Sequence, residues 1–598
     1  MSGEGFRFWF PIACLAGLAA WSSTKLIRAH VDPRIAALVP KYIFTQQLPA
    51  RRGSVVSALG KSYPFAKSIS CWEYFLDPVA LTNSVVRLNR KEKPRLPEAI
   101  VKTVSDALGL DYRRTLKMSE NKKNQYQRLT ISSDPKVHDI IANRHLVAGV
   151  AIEDRQIRQY LHGRRLCHVL GAVNGAHAGI AGIELRYQKE LAGTPGVVRG
   201  MKDADRHELY DKRITSIKPI DGADIHLTVD PNIQYEVEDA VKWGLREYGA
   251  GSGWSLVMDV RTGAILAMAS FPDFEPLSFG RIPDDAKINR AIAYNYEPGS
   301  VMKVITAAAA IDSGMAGPNT VYRTNRDDPA YYKLPGDGSH VWEPTMTIRD
   351  AIVHSSNIVI GKLGYDLQPK RLWTYMRSFG FGDRTGIELP GEQYGILHGY
   401  QKWDKATWSR AAIGQGVSVT AIQLAGAYQA IGNDGLRMRP YLVERIVGPD
   451  GKETYRHRPE PLGHPITSAT AKTLRNMMLD VASPKGTARR AAIPGYSIAG
   501  KTGTAQKTLG RGYAPGLYRA TFCGIVPASD PRLVVLVTLD FDQKTLYHQG
   551  GNSAGPVFKR MTMPILRYLM SPPDRPEEVD DLEEDEHERI VEQRVGKF

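Results

Sequence analysis

Three short strings in this 598-residue chain carry side chains able to act on one another: Ser300-Val301-Met302-Lys303, Ser355-Ser356-Asn357 and Lys501-Thr502-Gly503-Thr504. A serine hydroxyl becomes a useful nucleophile when a base within hydrogen-bond reach takes its proton, and a lysine is such a base only when neutral. Ser300 and Lys303 head an apolar, alanine-rich run that ends at Ile311, and in a helix their spacing puts both on one face. Lys303 stands among Val301, Met302, Val304 and Ile305. Burial there, with Lys501 as a second cation nearby, favours the neutral amine. The first helical turn also aims backbone N–H groups at developing negative charge. Ser355 offers a hydroxyl to relay a proton and Asn357 an amide to hold a peptide carbonyl. Lys501, Thr502 and Thr504 suit a carboxylate, and Gly500 and Gly503 let a substrate approach a strand edge and add as a further strand. Together these are the parts of a serine acyl-transfer site.

Singly, each string has a plainer explanation. A serine three residues before a lysine arises by chance roughly once or twice in a chain this long, and a helix cap accounts for Ser300 or for the Ser355 string alone. The ordered set is what points to chemistry. A phosphate-binding loop is the competing reading of Gly495 to Thr502, and the expectation is against it.

The elements that must hold these strings form more than one core, because a chain this long exceeds a single ordinary interior. Composition is globular, 42% hydrophobic and 24% charged, with a net charge of +15. Ser571 to Phe598 carries eleven acidic against four basic residues, which leaves +22 on the remainder. No finger, RNA-binding or helix-turn-helix signature organises that charge, so nucleic acid is not the expected partner; anionic lipid or an acidic polymer is. Residues 8–24 are free of charge between Arg7 and Lys25 and read as a membrane anchor, a little short of the usual span, or as a signal peptide with a small-residue stretch around Ala19-Ala20 like a cleavage site. Lys25, Arg28, Arg34 and Lys41 follow it, which by the positive-inside rule disfavours an exported body. Cys14, Cys71, Cys167 and Cys523 include no pair at metal-ligand spacing, so no metal site is expected. Cys71 with Cys167 is the candidate disulfide, and buried free thiols are the simpler reading.

A mixed region runs to Tyr248, with a strand at Asp224 to Thr228 and an amphipathic helix from Pro231 to Arg246. Gly249 to Gly253 is a flexible break. Beyond it, Trp254 to Val260 and Ala264 to Ser270 pattern as a hairpin, Arg519 to Val526 and Leu533 to Phe541 as strands, and Ala554 to Met570 as a helix. One central sheet covered by helices is expected. The acidic tail from Ser571 is expected to be disordered or partly helical.

Further strings surround the three: Tyr296-Glu297-Pro298-Gly299, the run Gly380 to Gly395, Ile413-Gly414-Gln415-Gly416 and Gly555-Pro556-Val557-Phe558. With these the chain resembles the class B penicillin-binding proteins, monofunctional peptidoglycan D,D-transpeptidases, and most of all their division-type, FtsI-like members. The earlier region is similar to the family's pedestal at Arg52-Gly53, Arg158 to Gly163, Gly182-Ile183-Glu184 and Leu227 to Asp230. It departs at Ser57, Ala58 and Leu59, where the family carries Asp, Arg and Asn, and at Leu161, where it carries proline.

The resemblance implies a multidomain α+β chain: residues 1–7 cytoplasmic, a transmembrane helix over 8–24, an elongated mixed α/β pedestal over 25–248, a β-lactamase-like transpeptidase domain with a central antiparallel sheet flanked by helices over 249–570, and the tail 571–598. It implies that Ser300 attacks the penultimate D-alanine carbonyl of a stem peptide, with Lys303 as base and Ser355 as relay. Asn357 would hold the substrate amide, Lys501, Thr502 and Thr504 the terminal carboxylate, and the N–H groups of Ser300 and Thr504 the oxyanion. β-Lactams would acylate Ser300, and no metal or organic cofactor is needed. Implied partners are stem peptides and lipid-linked nascent glycan, an FtsW-like glycosyltransferase of the shape, elongation, division and sporulation (SEDS) group, and other divisome membrane proteins. The body would face the cell wall from the bacterial cytoplasmic membrane, against the charge rule. The alternatives are an elongation-type enzyme, a D,D-carboxypeptidase that uses water as acceptor, and a non-enzymatic penicillin-binding receptor or divisome scaffold. A serine β-lactamase is disfavoured because the ExxLN string of one such class is absent.

Overall fold

A computed structural model describes residues 22, 43–57, 59, 63–82, 97–124, 126–142, 149–202, 208–209, 215–337, 342–509 and 512–578. The anchor expected over 8–24 lies outside the described residues except for Ser22, and among the described residues no helix is long and apolar enough to cross a membrane.

The chain divides into two compact units, Met1–Gly53 with Ala192–Ala223, and Ser54–Leu191 with Asp224–Phe598. The first contains a small antiparallel sheet in which Gly196–Lys202 pairs with Ile43–Leu48 and with Thr215–Ile217. The second holds two larger sheets. One has seven strands, ordered Glu453–Arg456, Val443–Val447, Asp224–Leu227, Val55–Ser57, Pro64–Leu76 and Gln127–Ser132, with Val150–Tyr160 also on Pro64–Leu76. Tyr74, Leu76, Ile100, Val101 and Val104 pack its core.

In chain order, the elements around the other sheet are the helix Pro231–Tyr248 (α1), strands Ser252–Asp259 (β1) and Ile265–Phe271 (β2), helices Lys303–Asp312 (α2), Ile348–Val353 (α3), Asn357–Ser378 (α4), Lys405–Ala412 (α5) and Ala421–Gly432 (α6), strands Ala499–Leu509 (β3), Gly512–Val526 (β4) and Leu533–Asp540 (β5), and the helix Ala554–Tyr568 (α7). The five strands lie in the order β2-β1-β5-β4-β3, every pair antiparallel. All eight residues of β5 are buried, which fits a run without polar alternation packed on both faces. Every residue of α6 is buried too; its Ala- and Gly-rich sequence gives no bulky side to hold it away, and Thr420 and Gln423 cap its start reciprocally.

At the boundary expected after Tyr248 the chain makes a tight turn. Helix α1 begins with Asp230 capping Asn232 and Ile233 and ends on Gly249 at φ 67, so only a tight turn separates it from β1. A Cβ on Gly244 would lie 2.4 Å from Val557 of α7. The helix ahead of the glycine-rich break therefore packs on the helix that closes the second sheet. The break is the helix cap at Gly249 and a short turn into β1. The seven-stranded sheet crosses the same boundary, since Asp224–Leu227 pairs with Val443–Val447.

Cys71, Cys167 and Cys523 are buried free thiols, so the Cys71–Cys167 link is not formed. The tail expected to be disordered or partly helical is held at its start: Ser497 donates its N–H to Asp574 at 2.7 Å and Gly495 to Glu578 at 3.2 Å, and Arg575 donates back to the Gly495 carbonyl at 3.1 Å. Residues 579–598 lie outside the described residues.

Candidate active site

Ser300 sits in a 3-10 turn, Gly299–Met302, that runs straight into α2. In such a turn side chains three apart nearly eclipse, so the offset puts Ser300 and Lys303 together more directly than an α-helix would. Two features pin the turn. Gly299 takes φ 58, and its N–H bonds the Gly414 carbonyl at 3.2 Å. A Cβ on Gly414, itself at φ 79, would stand 2.3 Å from the Gly299 carbonyl oxygen. The Ile413–Gly416 string is thus the bed on which the nucleophile's turn lies. Glu297 bridges the same region by accepting from Gly416 at 2.7 Å and from the Tyr513 hydroxyl at 3.1 Å.

Ser355 lies between α3 and α4 at φ 61, a left-handed conformation that costs a non-glycine residue about 1 to 3 kcal/mol. Ser356 caps α4 by accepting from Val359. Fully buried Lys303 extends to this corner: its Nζ lies 2.5 Å from the Ser355 carbonyl oxygen, 2.7 Å from Asn357 Oδ1 and 3.1 Å from Ser355 Oγ. From the other side Lys501 Nζ reaches Ser355 Oγ at 3.0 Å. One hydroxyl stands between two lysines.

The third string is the outer strand of the sheet, β3, where Lys501 pairs with Cys523 and Gly503 with Thr521. The strand is at the edge of its sheet, with Ala499 to Gly503 buried. The reason for Gly503 differs from the one expected, because a Cβ there would meet the Pro298 carbonyl at 3.1 Å and Val301 at 3.2 Å. The bare backbone makes room for the nucleophile's turn rather than only for a substrate. Lys501 also differs: it is fully buried and donates to Thr502 as well as to Ser355. Thr502, Thr504 and Thr487 form the wall in front of it. The residues Gly495 to Thr502 do keep the glycine and lysine spacing of a phosphate-binding loop, so spacing alone does not exclude one. The structure does, because a strand rather than a helix N-terminus follows Gly500.

Ser300, Ser355, Asn357, Thr502 and Thr504 line one cleft of about 330 Å³. Burial pulls Lys303 down from the usual lysine range to about 7, partly opposed by the Asp337 carboxylate. Lys501 is also pushed down, first by burial and then by the charge of Lys303. A neutral Lys303 keeps two N–H donors for the Ser355 carbonyl and Asn357 Oδ1 and has a lone pair left for a hydroxyl proton. The arrangement can take a proton from a serine and pass it through a second serine.

The strings did not announce Asp337, which accepts from Ser356 Oγ at 2.7 Å, or Thr487, whose hydroxyl meets that of Thr502 at 2.9 Å. Nor did they announce Gly550, where a Cβ would lie 2.5 Å from the Gly503 carbonyl oxygen. None of the three has a local spacing signal. Among the described residues no cluster of three or more His, Cys, Asp or Glu is placed to hold a metal.

Residues 253–562 match the penicillin binding protein transpeptidase domain and residues 49–227 the penicillin-binding protein dimerisation domain. The penicillin-binding protein PbpB of Mycolicibacterium smegmatis is 34% identical over 457 residues, 73% of this chain and 68% of that protein. The probable peptidoglycan D,D-transpeptidase PenA of Neisseria meningitidis serogroup A is 28% identical over 537 residues, 90% of this chain and 87% of that protein. The crystal structure of penicillin binding protein 3 from Mycobacterium tuberculosis, complexed with aztreonam, superposes with a TM-score of 0.66 at 28% identity, covering 89% of this chain and 99% of that one.

Proposed function

The chain belongs to the penicillin-binding protein transpeptidase family, and from that footing we propose that it is a peptidoglycan D,D-transpeptidase that crosslinks stem peptides through an acyl-enzyme on Ser300. The observation that carries this reading is the single bond network in which Lys303 and Lys501 meet at Ser355 Oγ beneath the cleft lined by Ser300. Ser300 Oγ attacks the penultimate D-alanine carbonyl while its proton passes to Lys303. The tetrahedral oxyanion takes N–H bonds from Ser300 and Thr504. Collapse breaks the peptide C–N bond, and the departing D-alanine amine takes a proton by way of Ser355. An amine of a second stem peptide then attacks the ester, gives up a proton through the same residues and frees Ser300. Asn357 holds the donor amide, and Thr502 and Thr504, backed by Lys501, hold the terminal carboxylate.

Around this centre the reading includes a single-pass anchor over 8–24, supported by the charge-free run there, and an extracytoplasmic body on the cytoplasmic membrane, which the chemistry of a wall substrate requires. The pedestal is taken as 25–248 with the α1 qualification above, and the transpeptidase part as 249–570. Lipid-linked glycan comes from an FtsW-like polymerase, the partner that the resemblance to division-type members implies. A role in septation follows the division-type flavour of the strings; depletion is expected to give filaments, and rounded cells would move the role to elongation.

The decisive experiment is mass spectrometry of the protein after brief incubation with benzylpenicillin. A long-lived adduct on the Ser300 peptide is expected, and it disappears in Ser300→Ala while the protein stays folded. Rapid turnover would mean hydrolysis, and no adduct on folded wild-type protein would favour a binding role.

A further inference from the structure

Asp337 lies outside the three strings yet bonds both Ser356 and Asn357 of the second. One carboxylate oxygen accepts from the Asn357 N–H and from the Ile358 N–H at 3.3 Å. The other accepts from Ser356 Oγ at 2.7 Å and from the Trp342 indole at 2.8 Å. The neighbouring Gly336 carbonyl accepts the Asn357 side-chain N–H at 2.8 Å. A plain helix cap does not explain this, because Ser356 already caps α4 by accepting from Val359 at 3.2 Å. What the extra bonds achieve is orientation. With its amide nitrogen tied to Gly336, Asn357 must present Oδ1 to Lys303, where it lies 2.7 Å from Nζ.

The charge matters as well. The groups around Lys303 are Lys501 from β3, Asp337 from the segment before α3, and Glu297, His354 and His548 on the cleft walls. Glu297 is committed to Gly416 and Tyr513, and His548 to the Thr545 carbonyl. Among these, Asp337 is the carboxylate whose charge favours the protonated form of Lys303, opposite in sense to the repulsion between Lys303 and Lys501. It also meets the start of α4, where a helix favours an anion.

We propose that Asp337 is a positioning residue for acylation, orienting Asn357 and Ser355 toward Lys303 and setting, through its charge, the pH at which Lys303 can take the Ser300 proton. The step it serves is balanced for a β-lactam: the Ser300 Oγ–C bond forms, the lactam C–N bond breaks, and the serine proton ends on the lactam nitrogen by way of Lys303. A negative charge beside Lys303 favours its protonated form, so removing that charge makes the free base available at lower pH.

The inference rests on the transpeptidase reading and is tested with the full-length chain by following the rate of the Ser300–benzylpenicillin adduct between about pH 5 and pH 9. In Asp337→Asn, whose side chain keeps the shape but not the charge, the midpoint of the acidic limb is expected to fall by about half a pH unit or more. The plateau is expected to fall as well, because the amide N–H now faces the Trp342 indole. A lowered plateau with the midpoint unmoved would mean that Asp337 is only structural and overturns the electrostatic role. If the Asn variant does not fold, Asp337→Glu decides: it retains the charge one methylene away, so a wild-type midpoint with about a tenfold lower plateau is expected, and an unchanged plateau overturns the positioning role. Absence of any wild-type adduct would instead sink the transpeptidase reading.

Discussion

Lys303 is the side chain on which the reaction turns. Its fully buried ammonium is held down to about 7, so below that pH it carries a proton and cannot accept another from Ser300. Acylation is therefore expected to rise about tenfold per pH unit up to neutrality and level off above it, as measured by adduct formation in a pH series. Lys303→Ala should slow acylation roughly 100-fold to 10,000-fold; a loss below tenfold would mean that another base operates. Ser355 was expected to relay a proton, and the structure gives it a second duty, since its hydroxyl is the shared partner of both lysines. Its serine type was legible from its place two residues before Asn357. Its left-handed backbone at the corner between α3 and α4 was not.

The glycines show how secondary structure elements deliver these side chains. Gly414 adopts φ 79 with no room for a Cβ beside Gly299, so Gly414→Ala must move the 3-10 turn that carries Ser300. A displacement of about 1 Å at a reacting atom costs roughly 100-fold. Gly414→Ala is thus expected to lose about that factor in acylation with its circular dichroism unchanged; wild-type acylation would show that the turn can adapt. The glycine string itself was visible in the sequence. Its partner was not, because Gly299 and Gly414 meet only through tertiary contact. Strand and helix assignments fared well where hydrophobic period and length agreed, as at β1, β2, β5 and α7. They failed to place α1, whose amphipathic pattern says that one face is buried but not against which neighbour.

For the assembled chain, the described start of the acidic tail is tied to the body by its carboxylates. The acidic stretch begins with residues that hold the approach to β3: Asp574 accepts from Ser497 N–H and from the hydroxyls of Ser497 and Ser529. These bonds hold Asp574 below its usual range despite partial burial. Asp574→Ala is expected to cost about 1 to 3 kcal/mol of stability, read as a lower thermal midpoint, whereas truncation after Glu578 should leave both the midpoint and Ser300 acylation unchanged. A larger effect of the truncation than of the substitution would assign the later residues a structural role. Arg158 of the strand Val150–Tyr160 and Glu184 of the short helix Gly182–Arg186 form a fully buried pair at 2.6 Å. Removing one partner, as in Glu184→Ala, is expected to destabilise by about 3 to 5 kcal/mol, which denaturant unfolding would measure.

The residue types and local offsets of the three strings, and the ordered set they form, could be read without a fold because they depend on neighbours along the backbone, where helical and strand periods set which side chains share a face. The same holds for the alternating or continuous apolar runs that became strands. Only the tertiary structure decided that Lys303 and Lys501 would share Ser355, that Gly503 would make way for the nucleophile's turn, and that Asp337 would hold Asn357. Those meetings join segments remote in sequence, and they are selected by mutual burial and by satisfying buried donors and acceptors, which no short stretch can encode alone.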